Sequence, residues 1–213
     1  MKTPFSKALQ EKIETSKKGS EIYKHVHRLN FIDYIVYYVI NSKFRRSVHL
    51  QNWIKKQIGN ETIEMLGNKF RKILNTDDRM KAILNHWRNG YGNLDYVGDK
   101  TTYGTNEYWA TVDEILEKKE DDCDGFMTII YLTAKASGIS DYRLYCVCGL
   151  VKGNVGHAYV IYRANNGLEF PIDGCYWPNT SYSMKTPYFL RKSYNYGETE
   201  WWRFNASGSY KTS

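Results

Sequence analysis

The sequence predicts an α+β fold, with a central helix packed on an antiparallel sheet and a helical extension ahead of it. Three observations lead there. Apolar residues recur at helical spacing through most of residues 20–90. The run that follows Cys123 is apolar on nearly every side, the mark of a buried helix. After Gly138 the pattern changes to short β-rich runs joined by Gly- and Asn-containing turns.

Each element has its own local signal. Ser20 can cap a helix carrying Ile22, Val26 and Leu29, and Ser47 precedes one with Leu50, Trp53, Ile54 and Ile58, closed by Gly59. Tyr34 to Ile40 is apolar, β-branched and aromatic, so it fits a helix or a strand. Asn60 opens a helix with Ile63, Leu66, Phe70, Ile73 and Leu74 on one face; Thr76 starts another with Met80, Ile83, Leu84 and Trp87, ending near Gly90. From Tyr91 to Glu107 the chain is rich in Gly, Asn, Asp and Thr, which suits a long surface connection. Thr111 and Glu114 have capping-box spacing and begin a short helix through Lys118. Asp121 or Asp122 caps the buried helix, which stops at Gly138. Strands follow over Tyr142 to Val151, Gly156 to Arg163 and Leu168 to Asp173, the last two joined by the hairpin signal Asn165-Asn166-Gly167. The polar end after Ala206 is expected to be loose unless a partner orders it.

Composition narrows the function classes. The 213 residues suffice for one sizeable core with an appendage. The formal charge of +7 is uneven: residues 1–90 carry 18 Lys/Arg against 8 Asp/Glu, and residues 91–213 carry 12 against 15. A basic front segment suits solvated helix faces or an acidic partner, and solvation is the simpler account, which leaves nucleic acid a weak expectation. Four cysteines, none in Cys-x-x-Cys spacing, argue against a disulfide framework and a structural zinc site. No apolar run reaches membrane-spanning length, and residues 1–20 lack the apolar core of a secretion signal, so a cytoplasmic protein is expected.

The chemistry concentrates in Asp122-Cys123-Asp124, Gly156-His157-Ala158 and Ile172-Asp173-Gly174. A thiol attacks carbonyls as thiolate, and the start of a helix favours the thiolate through unpaired N–H groups and the positive dipole end. The flanking carboxylates act the other way unless they cap the helix, bind a cation or point away. A neighbouring His157 would restore the thiolate, and Asp173 would fix the tautomer and orientation of His157. A plain reading exists for each: a small buried hydrophobe, a strand histidine and a turn aspartate. Their joint order on a helix start and two adjoining strands favours nucleophile, base and orienter. Cys146, Cys148 and Cys175 read as core filling.

With Tyr103-Gly104, the run Glu107 to Thr111, Glu114, Asp122-Cys123-Asp124, Gly156-His157-Ala158 and Asp173 in view, the chain resembles the transglutaminase-like superfamily, and within it the bacterial transglutaminase-like cysteine proteinases. The resemblance covers about residues 80–178. It implies a papain-like core at 76–205, an N-terminal helical extension at 1–75 and a tail at 206–213. It also implies Cys123, His157 and Asp173 as the catalytic set, an oxyanion hole using the Cys123 N–H, and Trp109 as a wall of the substrate cleft. Some members of the family bind calcium beside the cysteine, an arrangement that Asp122 and Asp124 match here; no cofactor is required. Gly125 stands where a further acidic residue is usual. The activity implied is cleavage of a peptide or isopeptide bond in a protein substrate, with cross-linking by aminolysis as the variant of the same chemistry. A different class is a phage virion or assembly protein that keeps the fold and meets its partner through the basic front helices.

Overall fold

The computed structural model describes residues 42–175, 196–197 and 199–210, with side chains from Val48 onward. The expected helix after Ser20 and the Tyr34 to Ile40 stretch lie outside the described residues, as do residues 1–41 of the basic front segment. The fold is α+β. Three helices lead: α1 (Ser42–Lys56), α2 (Glu61–Arg71) and α3 (Thr76–Trp87). A two-residue strand β1 (Asp95–Tyr96) and the helices α4 (Asp99–Thr102) and α5 (Val112–Lys118) follow; β2 (Glu120–Asp121) then leads into α6 (Cys123–Ala136). A 3-10 turn at Asp141–Arg143 opens the main sheet, made of β3 (Leu144–Val151), β4 (Val155–Arg163), β5 (Glu169–Ile172), β6 (Thr199–Phe204) and β7 (Ser209–Tyr210).

The caps explain the helix starts. Asn60 and Asn75 are extended, and each side-chain oxygen accepts a first-turn N–H of the helix behind it. Thr111 and Glu114 form the reciprocal capping box. Asn75 also accounts for a departure from the expected pattern. The residues before a cap must leave the helix, so α2 ends at Arg71 and Leu74 is 90% exposed instead of joining the apolar face.

The main sheet has the order β5-β4-β3-β6-β7 and is antiparallel throughout. One face packs on α6, whose side chains from Asp124 to Ala134 are all buried. That layer joins Ile129, Ile130, Cys146, Val160, Tyr162 and Phe204 in one core. A second cluster, with Tyr145, Val147, Tyr159, Ile161 and Tyr196, covers the other face. The leading helices contribute to the main core: Trp53, Ile54 and Ile63 are buried in it. α2 approaches α6 closely at Gly67, where a Cβ would lie 2.5 Å from that of Ala136.

Two strand pairings were not legible beforehand. β6 and β7 add the far edge of the sheet, so residues 209–210 are paired, with Asn205 holding the turn through Ser207 and Gly208 N–H groups at 2.9 Å. β1 and β2 form a parallel pair that joins Tyr96 to Asp121. No helix among the described residues is long and apolar enough to cross a membrane.

Candidate active site

Cys123 opens α6 because Asp122 is extended (φ −92, ψ −157) and its carboxylate caps the helix, accepting the Asp124 N–H at 3.2 Å. The sulfur therefore lies in the first turn, at the positive end of the helix. Its other surroundings oppose ionisation. Burial, then the charges of Asp122 and Asp124, push the Cys123 thiol well above its ordinary range, against the Ala158 backbone N–H that donates to the sulfur. A thiolate here needs a cation nearby.

His157 enters on β4, paired across the sheet with Gly149. Its ring and the Asp173 carboxyl are both buried, with Nε2 and Oδ2 2.7 Å apart. Asp173 is held by two further donors, the Tyr196 hydroxyl at Oδ2 and the Cys175 N–H at Oδ1, 2.8 Å away. Burial would raise this carboxyl, but the charge of His157 and these hydrogen bonds outweigh it and hold Asp173 below the usual carboxylate range. The Tyr159 ring lies beside His157, with centroids 6.0 Å apart, and its hydroxyl accepts the Gly197 N–H at 2.9 Å.

Thus the fold joins His157 to Asp173 directly. It brings Cys123 against β4 at Ala158, the residue after His157. Cys175, which reads from sequence as core filling, lies with His157 and Asp173, their polar atoms within 4.8 Å of one another. Tyr196 carries no local motif and lies 23 residues from its partner, so nothing in the sequence marks it. Trp109 is 7% exposed and meets the Trp53 ring edge-on at 5.4 Å between centroids; its described contacts are core contacts.

The acidic residues divide. Asp122 lies with Asp99 and Asp121, a carboxylate oxygen of each within 4.8 Å of the others, while Asp124 stands outside that set. Burial first, then the charge of Asp122, raises Asp99 to about 7. Burial likewise raises Asp121 to about 8 and Asp122 to about 6, and it lifts Asp124 well above the carboxylate range. A set made of oxygen atoms alone suits a hard cation such as calcium or magnesium and not a thiolate-seeking metal.

The class that fold and site define is an α+β protein whose cysteine-headed central helix packs on an antiparallel sheet bearing a buried His–Asp pair. That is the arrangement the transglutaminase-like resemblance implies. No family model and no curated protein matches the chain. Among solved structures it is similar to calcium-bound LapG of Legionella pneumophila, at 16% identity, covering 89% of this chain and 85% of that one with a TM-score of 0.42. It is also similar to EGTA-treated LapG of the same organism (14%, 96% and 86%, TM-score 0.42) and to a TGase (15%, 81% and 41%, TM-score 0.37).

Proposed function

We propose that this chain is a cysteine-nucleophile acyl-transfer enzyme that hydrolyses a peptide or isopeptide bond in a protein substrate. The observation that carries the reading is the buried 2.7 Å contact between His157 and Asp173, one residue from the Ala158 N–H that reaches the Cys123 sulfur. With Nε2 turned to Asp173, Nδ1 is the nitrogen that takes the thiol proton. The thiolate attacks the substrate carbonyl carbon, and the Cys123 N–H at the helix start steadies the oxyanion. The imidazolium returns its proton to the departing amine, leaving a thioester. Water, deprotonated by the same imidazole, then releases the acid; an amine in place of water would make the product a cross-link. Residues 76–205 form the catalytic portion in this reading, with 1–75 as the helical extension and 206–213 as the tail.

Calcium fits the oxygen donors beside Cys123, since the buried carboxylates of Asp99, Asp121 and Asp124 each keep one oxygen without a hydrogen-bond partner among the described residues. Asp122, with Asp99 and Asp121, would hold it. When bound, it supplies positive charge that offsets the carboxylates raising the thiol.

Competitive alkylation tests the proposal. With limiting iodoacetamide at pH 7 and the modified residue read by peptide mass spectrometry, Cys123 is expected to react at least tenfold faster than Cys146, Cys148 or Cys175, and His157→Ala removes that preference. Equal labelling of the four thiols, or a His157→Ala variant that labels like the parent, overturns it.

A further inference from the structure

We infer that Trp201 forms an apolar subsite beside Cys123, one that takes an aromatic or large aliphatic side chain next to the scissile carbonyl of the protein substrate. The inference rests on the acyl-transfer reading for the reaction and on the packing of β6 for the place of the indole.

β6 does not pair evenly with β3. Cys148 lies opposite Trp202 and Gly149 opposite Glu200, so Trp201 is an extra residue, a bulge in β6. Glycine at 149 makes room for it: a Cβ there would overlap the Thr199 carbonyl oxygen and lie 3.1 Å from the Glu200 Cα. The bulge breaks the alternation of the strand. Glu200 lies on the face of the second cluster, where its carboxylate accepts two bonds of 2.9 Å from Arg203, whose guanidinium covers the Tyr145 ring. Trp202 packs against the main core on the α6 face, with its ring centroid 6.0 Å from that of Trp201.

The Trp201 ring lies on the α6 face as well. Ala158, Val160 and Tyr162 of β4 belong to the main core, so a side chain at position 156, two residues before Ala158, would point the same way. A Cβ at 156 would lie 3.2 Å from Trp201 Cη2 and 3.4 Å from Cζ3. The indole therefore reaches across β3 and ends over Gly156, the residue before His157. Ala158 is the residue whose N–H reaches the Cys123 sulfur, and two residues of strand span about 7 Å, a gap that one substrate side chain bridges.

The place is open and apolar. Gly156 is exposed although His157 is buried, and Trp201 and Leu150 are each partly exposed. Leu150 is paired with Gly156 and shares its face. Glu200 is turned away, so β6 brings no carboxylate to the ring. An indole wall over a glycine floor favours apolar and aromatic groups through burial and ring contact.

Alkylation of Cys123 at pH 7 by chloroacetamide and by N-benzyl chloroacetamide, followed by peptide mass spectrometry, tests this. The readout is the ratio of the two rate constants at Cys123 divided by the same ratio for N-acetylcysteine, which cancels effects common to both probes. The parent is expected to favour the benzyl probe about fivefold or more, and Trp201→Ala to bring the preference below about twofold. Trp201→Phe is expected to fall between the two, and Trp202→Phe, which alters the core, to keep the parent's preference. A parent with no preference, a Trp201→Ala chain that retains it, or a stronger preference for the cationic N-(2-aminoethyl) analogue overturns the inference. Failure of the acyl-transfer reading shows separately, as a Cys123 that reacts with chloroacetamide no faster than Cys146, Cys148 or Cys175, whatever the ratio.

Discussion

At the residue scale the His157 and Asp173 pair makes the clearest stability statement. The folded pKa of Asp173 is depressed, so its contribution is present above the unfolded value of about 3.9 and is lost as pH falls through the folded value. Urea denaturation from pH 7 to pH 2 should show this loss in the parent. Asp173→Asn should be about 1–3 kcal/mol less stable at pH 7 and show a flatter dependence below pH 4. A second prediction concerns Gly125. Gly125→Ala forces a Cβ into the Asp121 side chain and should lower stability by about 1–3 kcal/mol, as overpacking does. Asp121→Gly in the same chain removes the nearest three atoms and should recover much of that loss, a coupling that a double-mutant cycle in urea would measure. The pairing of His157 with Asp173 and the place of Cys123 at a helix start were legible because they follow from residue type and order. Tyr196 and Cys175 were not, because folding alone brings them to Asp173.

At the element scale, helices with side-chain caps announced themselves, whereas the uncapped α4, inside the stretch read as a surface connection, and the edge strands did not. A capping residue acts within one turn, so Asn60 and Thr111 fix their helices from sequence alone, while the choice between Asp121 and Asp122 falls to Asp122 only in the structure. β6 offered no such mark. Its residues from Glu200 to Arg203 are all partly exposed, so the run Thr199–Phe204 lacks the alternation that identifies a half-buried strand. β1 and β2, at two residues each, are too short to carry any period. The acidic cluster stayed hidden for that reason, since the pairing of these two strands gathers Asp99 to Asp121. Thr111→Ala should remove the hydroxyl that accepts the Glu114 N–H, keep the Thr111 N–H bond to the Glu114 carboxylate, and lower stability by about 1 kcal/mol in urea denaturation, with Ser at 111 restoring it.

At the scale of the whole molecule, the central helix is the organising element. Its N-terminus carries Cys123 into the acidic corner, its flanks meet α2 and α3, and its apolar body fills one face of the sheet. The leading helices share that core, with Trp53 edge-on to Trp109 and Trp87 donating to Thr133 at 3.0 Å. Trp53→Ala should therefore destabilise the entire chain in a single transition, by about 3–5 kcal/mol, rather than melt α1 alone. Circular dichroism and tryptophan fluorescence followed through the same urea titration would detect any separation of the two. The change of period after Gly138 revealed the α+β class because helices and sheet lie in separate stretches of chain. Which edge strand closes the sheet depends on a crossing back to β3 that no local pattern encodes.

The central claim is that an imidazole held by a buried carboxylate primes the thiol at the head of this helix. The pH dependence of Cys123 alkylation, followed by intact mass in saturating calcium, tests it most directly. The parent should keep a reactive plateau below pH 7, where an unassisted buried thiol is silent, and His157→Ala should retain only the rise at high pH. Superimposable profiles for the two chains would contradict the account.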